Sequence, residues 1–158
     1  MTFLIVLGIY GGGLAVIFYL LGRRFGLAGL SLAAGSLLAD IWAVPIAQYF
    51  ASEGVMLEAP PISSIAAISI ILIVAFVVAV KTPKAHGIMT RLVNSVAFSL
   101  LAVAVTYQWF KAAVVLDEAS LPYVQMIEPH LLNIITSLLI FALVDVVIKH
   151  AKTARLKK

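Results

Sequence analysis

The segment LAGLSLAAGSLLADIWAVPIAQYF, Leu27–Phe50, decides the fold class: its 24 residues carry a single charge, Asp40. As a helix at 1.5 Å per residue it reaches about 36 Å, enough to cross a hydrocarbon core about 30 Å thick. No stretch of it alternates apolar and polar with period two, as a lipid-facing barrel strand does. Four further apolar runs stand beside it, Phe3–Leu21, Ile65–Val80, Leu92–Phe110 and Leu131–Ile148. The third is short by strict count, but Ser63 and Ser64 extend it toward Pro60 and Pro61, which suit the start of a helix. The sequence therefore predicts an all-α integral membrane protein, a bundle of about five transmembrane helices.

Composition agrees. The 158 residues are 63% hydrophobic and 11% charged, and the mean hydropathy is +1.14. Soluble domains are roughly half apolar and a quarter charged, and a chain this short cannot hide such an excess behind its own surface. The absence of cysteine excludes disulfides and thiolate chemistry.

The connections orient the bundle. Arg23 and Arg24 follow the first run, Lys81, Lys84 and Arg91 separate the third and fourth, and Lys149, Lys152, Arg155, Lys157 and Lys158 follow the fifth, ten of the eleven basic residues. The other face has only Lys111, with Glu53, Glu58, Asp117, Glu118 and Glu128, five of the seven acids. Cationic connections stay in the cytoplasm, so the N-terminus is expected outside and the C-terminus inside. The first run has no Lys or Arg before it and is longer than a usual signal-peptide core, so it is expected to remain in the membrane. The tail 149–158 reads as a topology anchor on anionic lipid rather than a nucleic-acid arm. Lys111–His130 is either a short element in the membrane interface, around Pro122, or a plain solvated loop.

The polar residues inside the runs are few. His86 and His150 fall on the inner side and His130 on the outer, so they do not converge on one ion, and no metal or other cofactor is expected. Asp40 lies 14 residues beyond Gly26, about 21 Å from the inner boundary, whereas Asp145 precedes Lys149 by four residues, about 6 Å from it. A separation of about 15 Å along the membrane normal rules out an aspartyl-protease dyad, whose acids share a proton. Asp145 is explained by an i,i+4 pair with Lys149 at headgroup level. An acid at the depth of Asp40, somewhat past the bilayer middle, costs up to about 2.5 to 3.5 kcal/mol on the insertion scale, so it needs a partner. Tyr10, Ser69, Thr106, Thr136 and Ser137 lie near its depth on the other helices and form the candidate buried polar layer. Two readings of that layer stand: a hydrogen-bonded lock between helices, or a proton or cation step along a path.

Small residues set the expected packing. Ser31, Gly35, Ala39, Ala43 and Ala47 repeat every four residues along the second helix, and Gly8 with Gly12 does so along the first. The second helix is expected to be central. Ser95, Ser99, Ala102 and Thr106 make a stripe on the fourth, facing the second helix or a partner chain. Gly11–Gly13 serves either close packing or a broken helix of the transporter kind. Pro45 frees the carbonyl of Ile41, next to Asp40, where a kink opens a small polar pocket.

The basic glycine turn GRRFGLAGL (Gly22–Leu30), the small-residue second helix, the apolar third and the basic loop leading through TRLVNSVAFSLL (Thr90–Leu101) together resemble the colicin V production protein (CvpA) family over about residues 1–110. Members are described with four helices, so the fifth is additional here. The resemblance implies a bacterial inner-membrane, multi-pass protein linked to toxin production and export and to envelope upkeep, with no enzymatic activity. The expected function is that of a non-enzymatic accessory or scaffold protein, joined to itself or to another membrane protein through the small-residue faces. The alternatives are a small homo-oligomeric transporter or channel using Asp40, or an obligate subunit of a larger membrane complex. Nucleic acid is not an expected partner; the lipid bilayer is.

Overall fold

The computed structural model describes residues 2–55, 57, 60–114 and 116–155, with side chains described as far as residue 148. Glu58, Lys157 and Lys158, and the side chains of Lys149, His150, Lys152 and Arg155, lie outside the described residues. The helices are α1 (Thr2–Leu21), α2 (Phe25–Ser52), α3 (Ile62–Lys81), α4 (Ile88–Ala113), α5 (Leu121–Ile127) and α6 (Leu131–Arg155), with single 3₁₀ turns, Glu118–Ser120 and Glu128–His130, on either side of α5. Five helices are long and apolar enough to cross a membrane: α1 to α4, and the run that ends in α6. This is the architecture of a multi-pass membrane protein. α3 starts at Ile62, just after Pro61, and α6 carries the helix seven residues into the basic tail, to Arg155.

Gly22 ends α1 by taking φ 58°, in the left-handed region that glycine occupies without strain. The chain then reverses into α2, and a matching reversal joins α3 to α4. The two turns are tied together by Ala85 N–H donating to Gly22 O at 2.8 Å and Arg24 N–H donating to Pro83 O at 3.2 Å. The ends of α1 and α3 and the starts of α2 and α4 thus share one end of the bundle, which we term the basic end. At the opposite, acidic end, Phe3 N–H donates to Asp117 Oδ1 at 3.3 Å, fastening the start of α1 to the segment before α5. Val124 of α5 is buried among Phe3, Tyr107 and Phe110. Residues 118–130 are therefore helical and fastened through Val124, the short element rather than a plain loop.

α2 and α3 make the most extensive pairing. Gly35 is essential to it, because a Cβ there would stand 2.9 Å from Ile71 Cα and 3.1 Å from Ile71 O. Ala39 and Ala43 of α2 and Ala67, Ala75 and Ala79 of α3 continue this seam, all fully buried. Ser31 is buried too, whereas Ala47 emerges to partial exposure as the helices diverge.

α2 is central as expected, packing on α3, α4 and α6, and α4 shares that place, touching α1, α2, α3 and α6. Its Ser95–Thr106 stripe does not face a partner chain. Ser99 Oγ donates to Gly11 O of α1 at 2.6 Å, and Phe18 of α1 stacks on Phe98 with ring centroids 4.1 Å apart. Ser95 Oγ is turned back onto Leu92 O at 3.0 Å. On α1 the close-packing glycine is Gly11, whose Cβ position lies 3.1 Å from Val103 Cγ2, while Gly8 and Gly12 have nothing within 4 Å. The expected Gly8–Gly12 packing pair is corrected accordingly: the azimuth of α1 is set by Phe18, Leu14 and Gly11 against α4, which turns Gly8 and Gly12 outward. Gly11–Gly13 is helical throughout, so α1 is not broken, and α2 likewise runs through Pro45 as one helix.

Candidate functional site: a cleft between α2 and α6

α2 and α6 meet tightly only at the basic end. A Cβ on Gly26 would lie 2.7 Å from Asp145 Oδ2 and 3.0 Å from Ala142 O, and one on Gly29 would lie 3.2 Å from Ala142 Cβ. Asp145 Oδ2 accepts the Gly26 N–H at 3.1 Å. This carboxylate caps the start of α2, whose N-cap residue Arg24 supplies no side-chain cap, and it is favoured there by the positive end of the helix dipole. The expected Asp145–Lys149 pair falls on a side chain outside the described residues; what is described at Asp145 is this contact between helices.

The α2 face that begins with Gly26 and Gly29 continues at helical spacing through Ala33, Ser36, Leu37 and Asp40. The α6 face that begins at Ala142 continues in the other direction through Leu139, Ile135, Leu132 and Leu131. Toward the acidic end these faces separate instead of packing, and with α4 behind them they line an open cleft of about 770 Å³. Asp40 lies on its wall, 14 residues and about 21 Å along α2 from the Gly26 apex. It is exposed and makes no hydrogen bond or ion pair among the described residues. The same length of helix separates it from Asp145, too far for the two acids to share a proton.

α4 contributes Gln108, Trp109 and Lys111 to the cleft, and Lys111 Nζ pairs with Glu128 Oε1 at 2.5 Å near the mouth. Tyr107 also lines it; the residue is 2% exposed and its hydroxyl has no hydrogen-bond partner among the described residues. None of these residues is in the layer expected from the sequence. Lys111 alone gave a signal, as the single cation of an acid-rich face.

The expected layer is not assembled. Tyr10 OH and Thr106 Oγ1 are 3.2 Å apart, and Thr106 Oγ1 also donates to Ala102 O at 2.7 Å. Asp40 stands apart from this pair, in the cleft. Ser69 is exposed on α3, in a separate apolar recess of about 420 Å³ with Phe50 and Ile73. Thr136 and Ser137 are exposed on α6, with Thr136 Oγ1 bonded to its own Leu132 O at 2.8 Å. The physical reason is azimuth. Ser69 lies two residues, about 200°, from the Ala67–Ile71 seam of α3, and Thr136 and Ser137 lie one and two residues from Ile135 in the cleft.

What the cleft offers is one acid deep between the helices, an amide one turn from an ion pair at the mouth, and apolar walls. Among the described residues no three His, Cys, Asp or Glu side chains lie together as a metal site. In comparisons with known proteins, the chain matches no family model, no curated protein and no solved structure.

Proposed function

We propose that the chain is a non-enzymatic, multi-pass protein of the bacterial inner membrane, N-terminus outside and C-terminus in the cytoplasm, which works by binding. It is an accessory or scaffold protein in export or envelope maintenance, the role that the resemblance to the colicin V production protein family implies. The α2–α6 cleft is where it engages another transmembrane helix, from a second copy or a different protein. The small-residue faces of α2 and α4 do not serve this purpose, since the α2 ladder is taken up by α3 and the α4 stripe by α1.

The observation that carries this reading is Asp40, exposed in the cleft with no partner among the described residues. At that depth in a bilayer, somewhat past the middle, an unpaired acid costs up to about 2.5 to 3.5 kcal/mol. A helix bringing a hydroxyl, amide or basic group to the same depth relieves that cost and makes the contact specific.

Because the native chain has no cysteine, single cysteines can be placed at will. Leu132 in the cleft and Val77 on the outer face of α3 are similarly exposed, 72% and 62%. In native membranes a thiol crosslinker is expected to capture one reproducible partner from Leu132→Cys, none from Val77→Cys, and less from Leu132→Cys when Asp40→Leu is added. Equal capture from both faces, or none from the cleft, refutes the proposal.

A second reading is favoured by the polar groups that follow one another from Lys111–Glu128 through Gln108 to Asp40. A homo-oligomer would pass protons or small cations along them. Asp40→Asn protein that folds but loses flux after reconstitution supports that reading; unchanged flux removes it.

A further inference from the structure

The two turns at the basic end form a two-stranded lock whose charges are unbalanced. The Ala85–Gly22 and Arg24–Pro83 backbone bonds flank Arg23 and Lys84 and make them a non-hydrogen-bonded antiparallel pair. In such a pair the Cα atoms stand about 4.5 Å apart and the opposed side chains are at their closest. Here both are cations, and like charges directly opposite destabilise a pair. Arg91 is drawn to the same place: its guanidinium lies over Gly22, 3.3 Å from where a Cβ would be, and its Nε donates to Ala85 O at 3.3 Å.

Arg23 is anchored by Nη1 donating to Thr82 O at 2.7 Å, while its buried Nε–H has no acceptor among the described residues. Arg24 and Lys81 add to the local charge. Asp145, the acid of this end, is engaged on Gly26 N–H, and none of these five cations has an acid partner among the described residues.

We propose that Arg23, Lys84 and Arg91 form a binding site for the phosphate of an anionic membrane lipid. A phosphodiester drawn between Arg23 and Lys84 relieves the opposed charges and meets the Arg91 guanidinium. A lipid rather than a soluble phosphate is indicated by the surroundings. The lock sits where four apolar helices end, which is headgroup level in a bilayer, and Leu20 and Ile88 beside it are 76% and 77% exposed, a wall for acyl chains. The inference rests on the membrane reading and is independent of the Asp40 cleft.

The test uses the full chain in nanodiscs of phosphatidylcholine alone or mixed with phosphatidylglycerol, with thermal unfolding and native mass spectrometry of retained lipid. Wild type is expected to melt higher with phosphatidylglycerol and to retain it preferentially. Lys84→Gln, at an exposed side chain with no hydrogen bond or ion pair among the described residues, is expected to lower that affinity about tenfold, as the loss of one charge-assisted hydrogen bond implies. In phosphatidylcholine the same variant is expected to be as stable as wild type or more so, since the opposed cation is gone. Arg91→Gln should lower lipid retention as well. Equal retention of the two lipids overturns the proposal, as does a Lys84→Gln chain that keeps the full phosphatidylglycerol response. An equal stabilisation by inorganic phosphate in phosphatidylcholine discs overturns the lipid as the source.

Discussion

Replacing Gly35 by alanine tests the packing of the bundle at its tightest point. The added Cβ would stand 2.9 Å from Ile71 Cα and 3.1 Å from Ile71 O, against an optimal carbon–carbon separation of about 3.5 to 4.0 Å. The obstacle is backbone, so no rotamer change relieves it and α2 and α3 must move apart by about 0.6 to 1.1 Å. A gap of that size forfeits about a quarter to a half of each contact along the seam, which includes Ala39, Ala43, Ala67, Ala75 and Ala79. The loss expected for such overpacking is about 1 to 3 kcal/mol. Gly12→Ala is the matched control, because nothing lies within 4 Å of its Cβ position; it should cost nothing and can gain from the better helix propensity of alanine. Reversible unfolding in mixed micelles, titrated with a denaturing detergent, measures both. If Gly35→Ala unfolds like wild type, or if Gly12→Ala is the more damaging, the assignment of the tight seam to α2 and α3 is wrong.

Asp145→Ala removes the cap on α2 and should cost about 0.5 to 2 kcal/mol in the same assay, with Asp145→Asn retaining most of the stability because its amide oxygen still accepts the Gly26 N–H. A double-mutant cycle of Tyr10→Phe and Thr106→Ala should return a coupling of about 0.6 kcal/mol and no more than about 1.7; a coupling of zero means that the two hydroxyls do not bond.

The five long helices could be read from the sequence because length and apolarity identify a span whatever it packs against. The α2 ladder was legible for a related reason, since a repeat of small residues every four positions has little use on a lipid-facing surface. Which way the other helices face was not legible. In a bilayer the solvent is as apolar as the protein interior, so Ser69, Thr136 and Ser137 carry no mark of pointing outward, and Gly11 none of pointing in. Counting residues gives depth but not azimuth, and for that reason the expected layer had its members at one level and on different sides. Asp145 and Gly26 are 119 residues apart, so their contact had no local signature. The cleft follows from the divergence of two helices beyond that contact, a property of their crossing and of no single residue.

Nearly everything that holds α1 is supplied by α4. Gly11 and Ser99 are 88 residues apart, and Tyr10 and Thr106 are 96. At synthesis rates of about 5 to 20 residues per second, a lag of this length lasts about 4 to 19 s. During co-translational insertion α1 therefore waits in the lipid with its docking face uncovered, while α2 and α3 can join as soon as α3 is made. The waiting period is a window in the life of the chain when an insertase, or a neighbouring copy, has first access to the surface that α4 will later close.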